Sequence, residues 1–392
     1  MTNTAVTSRL DFTLSAGPTV ASAQTLAALG SPITYHYDPE FLELFRGTER
    51  KVARLFQTGN DIVLMQGEAI VGLEGAARSL VRPGMPVLNL VQGVFGKGMG
   101  YWLRDFGAEL HEIEVPYNDA VAPERVAEYL DAHPEIELVT VVASETPSGT
   151  VSDVSRIGPI CRERGVLTLV DTVSGVGSME FRTDDFGLDV CVAGAQKSLG
   201  GPPGVALVSV SSAAWDAIRR NENAPRASYL SLLDWKEKWL DGGAFPYTPS
   251  VSDMHGLASC LDQILDEGVD AAIARHAASA AVTRAGVRAM GLDLWPVSED
   301  IAATCVTSVA VPAGLDDVQV RTHVRERYGV MLSSGQGAGN IIRIAHMGPT
   351  ASGLFPIVGI SALGRALMDL GWHVDVGAGV DAALAVLSEQ RG

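Results

Sequence analysis

The chain has 392 residues, with 29 basic against 46 acidic side chains and a net charge of −17. That balance argues against nucleic-acid or other polyanionic partners, which are gripped by clustered Lys and Arg, although one local Arg can still hold a small carboxylate. Hydrophobic residues at 47% against 19% charged exclude a disordered chain and allow two or three domains.

At the start, MTNTAVTSRLDFTL has no apolar core of signal-peptide length. Residues 62–210 then carry short runs rich in β-branched residues, at 62–65, 87–91, 110–115, 138–143, 166–171, 190–194 and 205–210. Helical patterns lie between several of them. Leu73, Ala76, Ala77 and Leu80 recur at i, i+3, i+4, i+7, and Pro123 opens another helix at a tolerated first-turn position. Alternation of buried strands and helices predicts an α/β fold, a mainly parallel seven-stranded sheet with helices on both faces. Residues 221–249 carry Trp and Tyr with little periodicity, and read either as an arm making a dimer contact or as a surface loop. Beyond about residue 260 the composition turns Ala-rich. One long helix is expected at 269–290, acting as a hinge, then a strand at 305–311 and helices at 316–328 and 380–390. These make a smaller C-terminal α+β domain. The expected division is an N-terminal arm (1–18), a large α/β domain (19–262) and a small domain (263–392). No apolar run approaches the roughly 20 residues that span a bilayer. Cys161, Cys191, Cys260 and Cys305 stand singly, so a cytoplasmic protein with reduced cysteines and no metal site is expected.

In such folds ligands bind in the loops after the carboxyl ends of the strands. Those loops here contain Gln66-Gly67-Glu68-Ala69, Gly93-Val94-Phe95-Gly96, Glu145-Thr146-Pro147-Ser148-Gly149, Asp171-Thr172-Val173-Ser174 and Gln196-Lys197 followed by Ser-Leu-Gly-Gly-Pro-Pro-Gly. A lysine desolvated beside apolar strands becomes a nucleophilic amine able to form a Schiff base. A buried Asp171 could keep a pyridine nitrogen protonated. Phe95 could cover the ring and Thr146 bind its 3-oxygen. Taken alone, Phe95 also reads as core and Asp171 as a helix cap. A rigid Gly/Pro turn directly after Lys197 is harder to explain by structure only.

These motifs, with Ser15-Ala16-Gly17-Pro18, Tyr247-Thr248-Pro249 and Arg343 before Ile344-Ala345-His346-Met347-Gly348, resemble the class V aminotransferases of fold type I over nearly the whole chain. The resemblance implies a transaminase in which Lys197 forms the Schiff base and moves the proton. It implies that Asp171 pairs with the pyridine nitrogen, Val173 packs under the ring, Thr146 holds the 3-oxygen and Arg343 binds the substrate carboxylate.

Within that family the chain is similar to members that take the unphosphorylated vitamin as substrate and move the amino group of pyridoxamine to pyruvate, giving pyridoxal and L-alanine in vitamin B6 degradation. Shared phrases include Tyr35-His36-Tyr37-Asp38-Pro39 and Glu114-Val115-Pro116-Tyr117-Asn118. The discriminating position is Glu68, beside Ala69. Phosphate-binding members place a small hydroxyl residue there, at a helix N-terminus that cradles the phosphate. A carboxylate would occupy those donors and repel phosphate, and could accept a hydrogen bond from the vitamin's 5′-hydroxyl. The expectation is therefore no tightly bound cofactor. Three positions depart from such members: Phe95 replaces tyrosine, Gln196 replaces asparagine, and Gln336 replaces a second arginine. The last leaves the keto acid to Arg343, with weaker affinity or another preferred acceptor. The alternative is an alanine- or serine-glyoxylate type enzyme holding pyridoxal 5′-phosphate. The family also implies a homodimer or homotetramer, with Tyr247 and Thr248 entering the site from a neighbouring subunit; neither a nucleic-acid nor a membrane partner is expected.

Overall fold

A computed structural model describes residues 10–390, so the first nine residues of the expected arm lie outside the described residues. All seven apolar runs form strands: β1 (Asp61–Gln66), β2 (Pro86–Val91), β3 (Glu109–Glu114), β4 (Leu138–Val142), β5 (Leu167–Asp171), β6 (Val190–Gly194) and β7 (Val205–Val210). They lie in one sheet in the order β1-β7-β6-β5-β4-β2-β3. Pairs among β2 to β6 are parallel, whereas β7 runs antiparallel to both neighbours, setting Val205 opposite Gln66 and Ala206 opposite Gly194. Every residue of β4, β6 and β7 is buried, as expected of strands covered on both faces.

Helix α1 (Ala69–Leu80) buries Leu73, Ala76, Ala77 and Leu80, the predicted stripe. Helix α2 (Val94–Asp105) follows β2 and starts at Gly93, which offers no side-chain cap. A small antiparallel sheet in the order β8-β10-β9 is built from β8 (Val306–Ala310), β9 (Ser333–Ser334) and β10 (Ile341–Ala345). The apolar interior falls into two main clusters. The larger surrounds the seven-stranded sheet, and the second gathers Val282, Val287, Val309, Ile342, Ile344, Ile360 and Leu363. Leu14 joins the second cluster, and Phe12–Thr13 pairs in parallel with Val330–Met331. The described part of the expected arm is thus woven into the C-terminal half.

Several expectations need correction. Residues 221–249 are not a plain surface loop. Leu232, Leu233, Trp235 and Trp239 are buried in the large cluster, with Trp235 stacked on Phe45 and Trp239 on Phe245. Aromatic area of that size gains more from the chain's own core than from solvent. The predicted long helix exists as α4 (Val269–Ala289), but α3 (Val251–Glu267) precedes it and Gly268 separates the two at φ 94°. Helix α4 passes from one cluster to the other, with Ala272 in the first and Val282 in the second. The last helix begins at Val376, where Asp375 caps the Ala378 N–H.

Candidate active site

Lys197 lies in the link from β6 to β7, which the chain ties down along its length. Gly201 N–H donates to Ala195 O (2.7 Å), Gly67 N–H to Gly204 O (2.7 Å), and the Ser198 hydroxyl to Ser174 O (3.0 Å). The Lys197 Nζ donates to the carbonyl of Ala16 at 2.7 Å. Gly17 beside it sits at φ 100°, which favours glycine, and a Cβ there would come within 2.4 Å of Lys197 Cδ and push the lysine side chain aside. Burial, reinforced by the charge of Arg343, lowers the Lys197 pKa and favours the neutral, nucleophilic amine.

Asp171 ends β5 and is buried. Burial pushes its pKa up to about 6, against a Val173 N–H donated to Oδ1 (2.9 Å) and the attraction of Lys197. The turn bond makes Asp171 a local cap, yet the rest of its carboxylate is left needing a cation. A protonated ring nitrogen would supply one. Val173 packs half-buried against the large cluster.

Thr146, after β4, is buried, and its hydroxyl donates to Ser174 Oγ (2.7 Å), which in turn donates to Ser144 O (3.0 Å). Arg343 reaches the same point from β10. Its Nε donates to Ser334 O (2.5 Å) and its Nη1 to Thr146 O (2.8 Å); Nη2 takes part in neither bond. Burial lowers the Arg343 pKa to about 10, which leaves it cationic at neutral pH. The guanidinium is thereby held by two carbonyls, one from the small sheet and one from the turn after β4, with an edge left for a carboxylate.

Phe95 is 39% exposed, which rules out the core reading and leaves a ring face open at the carboxyl end of the sheet. Glu68 caps α1: Oε2 accepts the Ile70 N–H (2.9 Å) and Oε1 accepts Gln196 Nε2 (2.5 Å), with Ala69 buried behind it. Gln336 stands exposed at the tip of the β9–β10 loop at φ 51°. Thr248 is exposed, but Tyr247 is committed to its own chain: its hydroxyl accepts from Trp235 Nε1 (3.1 Å) and, weakly, Gln66 N–H (3.4 Å). The Tyr247 hydroxyl is therefore already partnered within its own chain. A cavity of about 510 Å³ lined by Val121, Val151, Met179 and Ile301 lies elsewhere and contains none of these groups. Sequence reasoning missed the carbonyls of Ala16 and Ser334 and the hydroxyl of Ser174. Carbonyl acceptors leave no side-chain signal to find.

The family model "Aminotransferase class-V" matches residues 21–349. The chain is 45% identical over 378 residues to the pyridoxamine–pyruvate transaminase of Mesorhizobium japonicum, covering 96% of each. The chain belongs to the class-V aminotransferases. The crystal structure of pyridoxamine–pyruvate aminotransferase from Mesorhizobium loti superposes with a TM-score of 0.95 at 44% identity, covering 97% of this chain and 98% of that one. Ureidoglycine–glyoxylate aminotransferase from Bacillus subtilis superposes at 0.91 and 26% identity, covering 96% and 97%. This class-V aminotransferase is thus a transaminase of the fold-type-I architecture.

The family depends on pyridoxal phosphate. In this aminotransferase the residues around Asp171, Lys197 and Phe95 suit the pyridine ring. The phosphate cradle does not suit a phosphate: the helix N–H of Ile70 and the amide of Gln196 already bond the Glu68 carboxylate. Two negative groups would have to share those donors. Among the described residues no group of side chains could hold a metal ion, and no helix is long and apolar enough to cross a membrane.

Proposed function

We propose that this class-V aminotransferase moves the amino group of pyridoxamine to pyruvate or a similar 2-keto acid, giving pyridoxal and L-alanine, in the breakdown of vitamin B6. The observation that carries the reading is the Glu68 carboxylate, seated on the two donors a phosphate would need. Its similarity to the Mesorhizobium pyridoxamine–pyruvate enzymes supports the same substrate pair. The vitamin then binds as a substrate, not as a resident cofactor, and its 5′-hydroxyl donates to Glu68. Gln196 Oε1, buried and without a hydrogen-bond partner among the described residues, is a second acceptor at that place.

Each residue has a task in this reading. Asp171 holds the ring nitrogen protonated, so that the ring can draw electrons from the reacting carbon. From the pyridoxal side, the Lys197 amine would condense with the aldehyde carbon, expelling its oxygen as water, and would be released when the amino group of the amino acid replaces it at that carbon. The freed amine, its pKa lowered by burial, carries the proton between the substrate Cα and the carbon beside the ring. Arg343 fixes the substrate carboxylate, so that the Cα–H bond stands across the ring plane. Gln336 supplies no charge, so Arg343 carries the carboxylate alone. A homodimer or homotetramer in the cytoplasm completes the proposal, with Thr248 facing a neighbouring copy's site; the exposed Ile33, Tyr35, Ile70 and Tyr229 give a second copy apolar surface to cover.

The test is to purify the protein without added vitamin and assay pyridoxamine against a panel of keto acids. A colourless protein that gains a visible absorption band with pyridoxal, and turns over pyridoxamine with pyruvate, is expected. A yellow protein carrying stoichiometric pyridoxal phosphate overturns the proposal and favours the glyoxylate-type alternative.

A further inference from the structure

Glu145 has no part in the chemistry above, yet its carboxylate is fully buried at the carboxyl end of the sheet. Its two oxygens accept the N–H groups of Phe95 (3.2 Å) and Gly96 (2.6 Å), which are otherwise orphan donors in the first turn of α2. Gly93, the residue in the capping position, has no side chain to do this, and a Cβ there would come within 2.4 Å of the Glu145 carboxyl carbon. The same turn is held from its other side, where Asn89 Nδ2 donates to Gly96 O (2.9 Å) and Thr140 Oγ1 donates to Asn89 Oδ1 (2.8 Å). Glu145's own backbone is pinned as well, its carbonyl accepting from Gly149 N–H (2.8 Å). The next residue in the chain is Thr146, which Arg343 grips by its carbonyl.

We propose that Glu145 is a positioning residue: its carboxylate sets the attitude of the Phe95 ring, while its backbone presents Thr146, so that one buried group fixes both contacts to the vitamin ring. A capping carboxylate from another strand is unusual, because burying it costs far more than a local Ser or Asp cap. Burial does push its pKa up to about 7, with the two N–H groups opposing and Asp171 adding repulsion. A local cap would hold α2 equally well but would tie it to nothing. Glu145 instead ties the turn carrying Phe95 to the strand end carrying Thr146, and so fixes the distance between ring face and 3-oxygen.

The proposal rests on the reading that the vitamin ring lies against Phe95. Its test is Glu145→Gln, which keeps the volume but can accept only one of the two N–H bonds, measured alone and with Phe95→Ala. We expect the KM for pyridoxamine and the Kd for pyridoxal to rise about ten-fold, as for loss of one hydrogen bond to a charged group, with the KM for the keto acid unchanged. In the Phe95→Ala background the same change should add less than about two-fold. An unchanged pyridoxamine KM, equal shifts for both substrates, or an undiminished effect without Phe95 overturns it. If Glu145→Gln fails to fold, Gly93→Ala gives the same readout, because its methyl displaces the carboxylate without removing it. Titrations with pyridoxal and with pyridoxal phosphate separate the two ideas. A wild-type protein preferring the phosphate ends the proposed function, while the Glu145 variants, titrated with whichever ring binds, still decide this proposal.

Discussion

On the proposed reading, replacing Glu68 by serine should turn a site that excludes phosphate into one that accepts it. In the native chain the carboxylate accepts from Ile70 N–H at 2.9 Å and from Gln196 Nε2 at 2.5 Å. Serine keeps the helix capped, so α1 should lose little stability. It releases the Gln196 amide and removes a negative charge. Two unit charges about 4 Å apart repel by roughly 1 kcal/mol in water and about 4 kcal/mol near a protein surface. Glu68 is exposed in the single chain, so the lower part of that range applies, taken nearly twice for a phosphate of charge close to −2. With about 1 kcal/mol for the recovered hydrogen bond, the total is at least about 3 kcal/mol, or roughly 100-fold in affinity. The assay is a spectrophotometric titration of native protein and variant with pyridoxal and with pyridoxal phosphate. The native protein should prefer pyridoxal, and the variant should gain about 100-fold for the phosphate ester. If the ratio of the two affinities does not move, Glu68 is only a helix cap and the phosphate-exclusion reasoning fails.

Arg343→Lys should raise the keto-acid KM by about 100-fold while leaving pyridoxal binding intact, since an ammonium cannot satisfy the Ser334 and Thr146 carbonyls and also fork a carboxylate; matched losses for both substrates would contradict this. Gly17→Ala drives a methyl into Lys197 from a backbone at φ 100°, and should slow the reaction of Lys197 with pyridoxal by at least about ten-fold, read by stopped flow, without unfolding the chain. Stability of the ligand-free protein should peak at about pH 5. Glu145 and Glu49, raised by burial from 4.5 to about 7, and Asp171, raised from 3.8 to about 6, make the native state bind more protons than the unfolded chain between those limits, so stability falls as pH rises through that window and levels off by about 8. His346 and His276, lowered by burial to about 3 and about 4, do the opposite, so stability falls as acid protonates the unfolded histidines. Thermal melts across pH check both limbs, and a Tm still rising from pH 6 to 8 contradicts the first.

The edge strand β3 is mostly half-buried or exposed and shows only through Leu110 and Ile113, but the other six strands are readable because each is a short apolar run buried almost throughout, a pattern that carries position clearly. It carries no direction, so the antiparallel course of β7 had no signal in VALVSV. Helices at Pro39–Phe56, α3 and Phe355–Asp369 escaped notice. The last of these carries Gly359 and Gly364, poor helix formers that are wanted where neighbours press close: a Cβ on Gly364 would meet Val376 at 3.0 Å. In the site, Lys197, Asp171 and Arg343 were readable because their chemistry is unusual among apolar strands. In the sequence Glu145 reads only as part of a motif. Nothing in Glu-Thr-Pro-Ser-Gly says that its carboxylate crosses to cap a helix some 50 residues earlier in the chain, since the separation is fixed by the sheet order.

The reversal of β7 has a mechanical consequence for Lys197. Because β7 returns beside β6, the lysine sits in a short bridge whose two feet are stitched to adjacent strands. Such a bridge cannot swing as a lid does. The amine's travel between carbon atoms is confined to rotation about the methylenes of its own side chain, with no loop rearrangement on the slower scale. The proton carrier therefore works like a boom on a fixed mast, and the pace of each turnover should be set by bond making or by release of products.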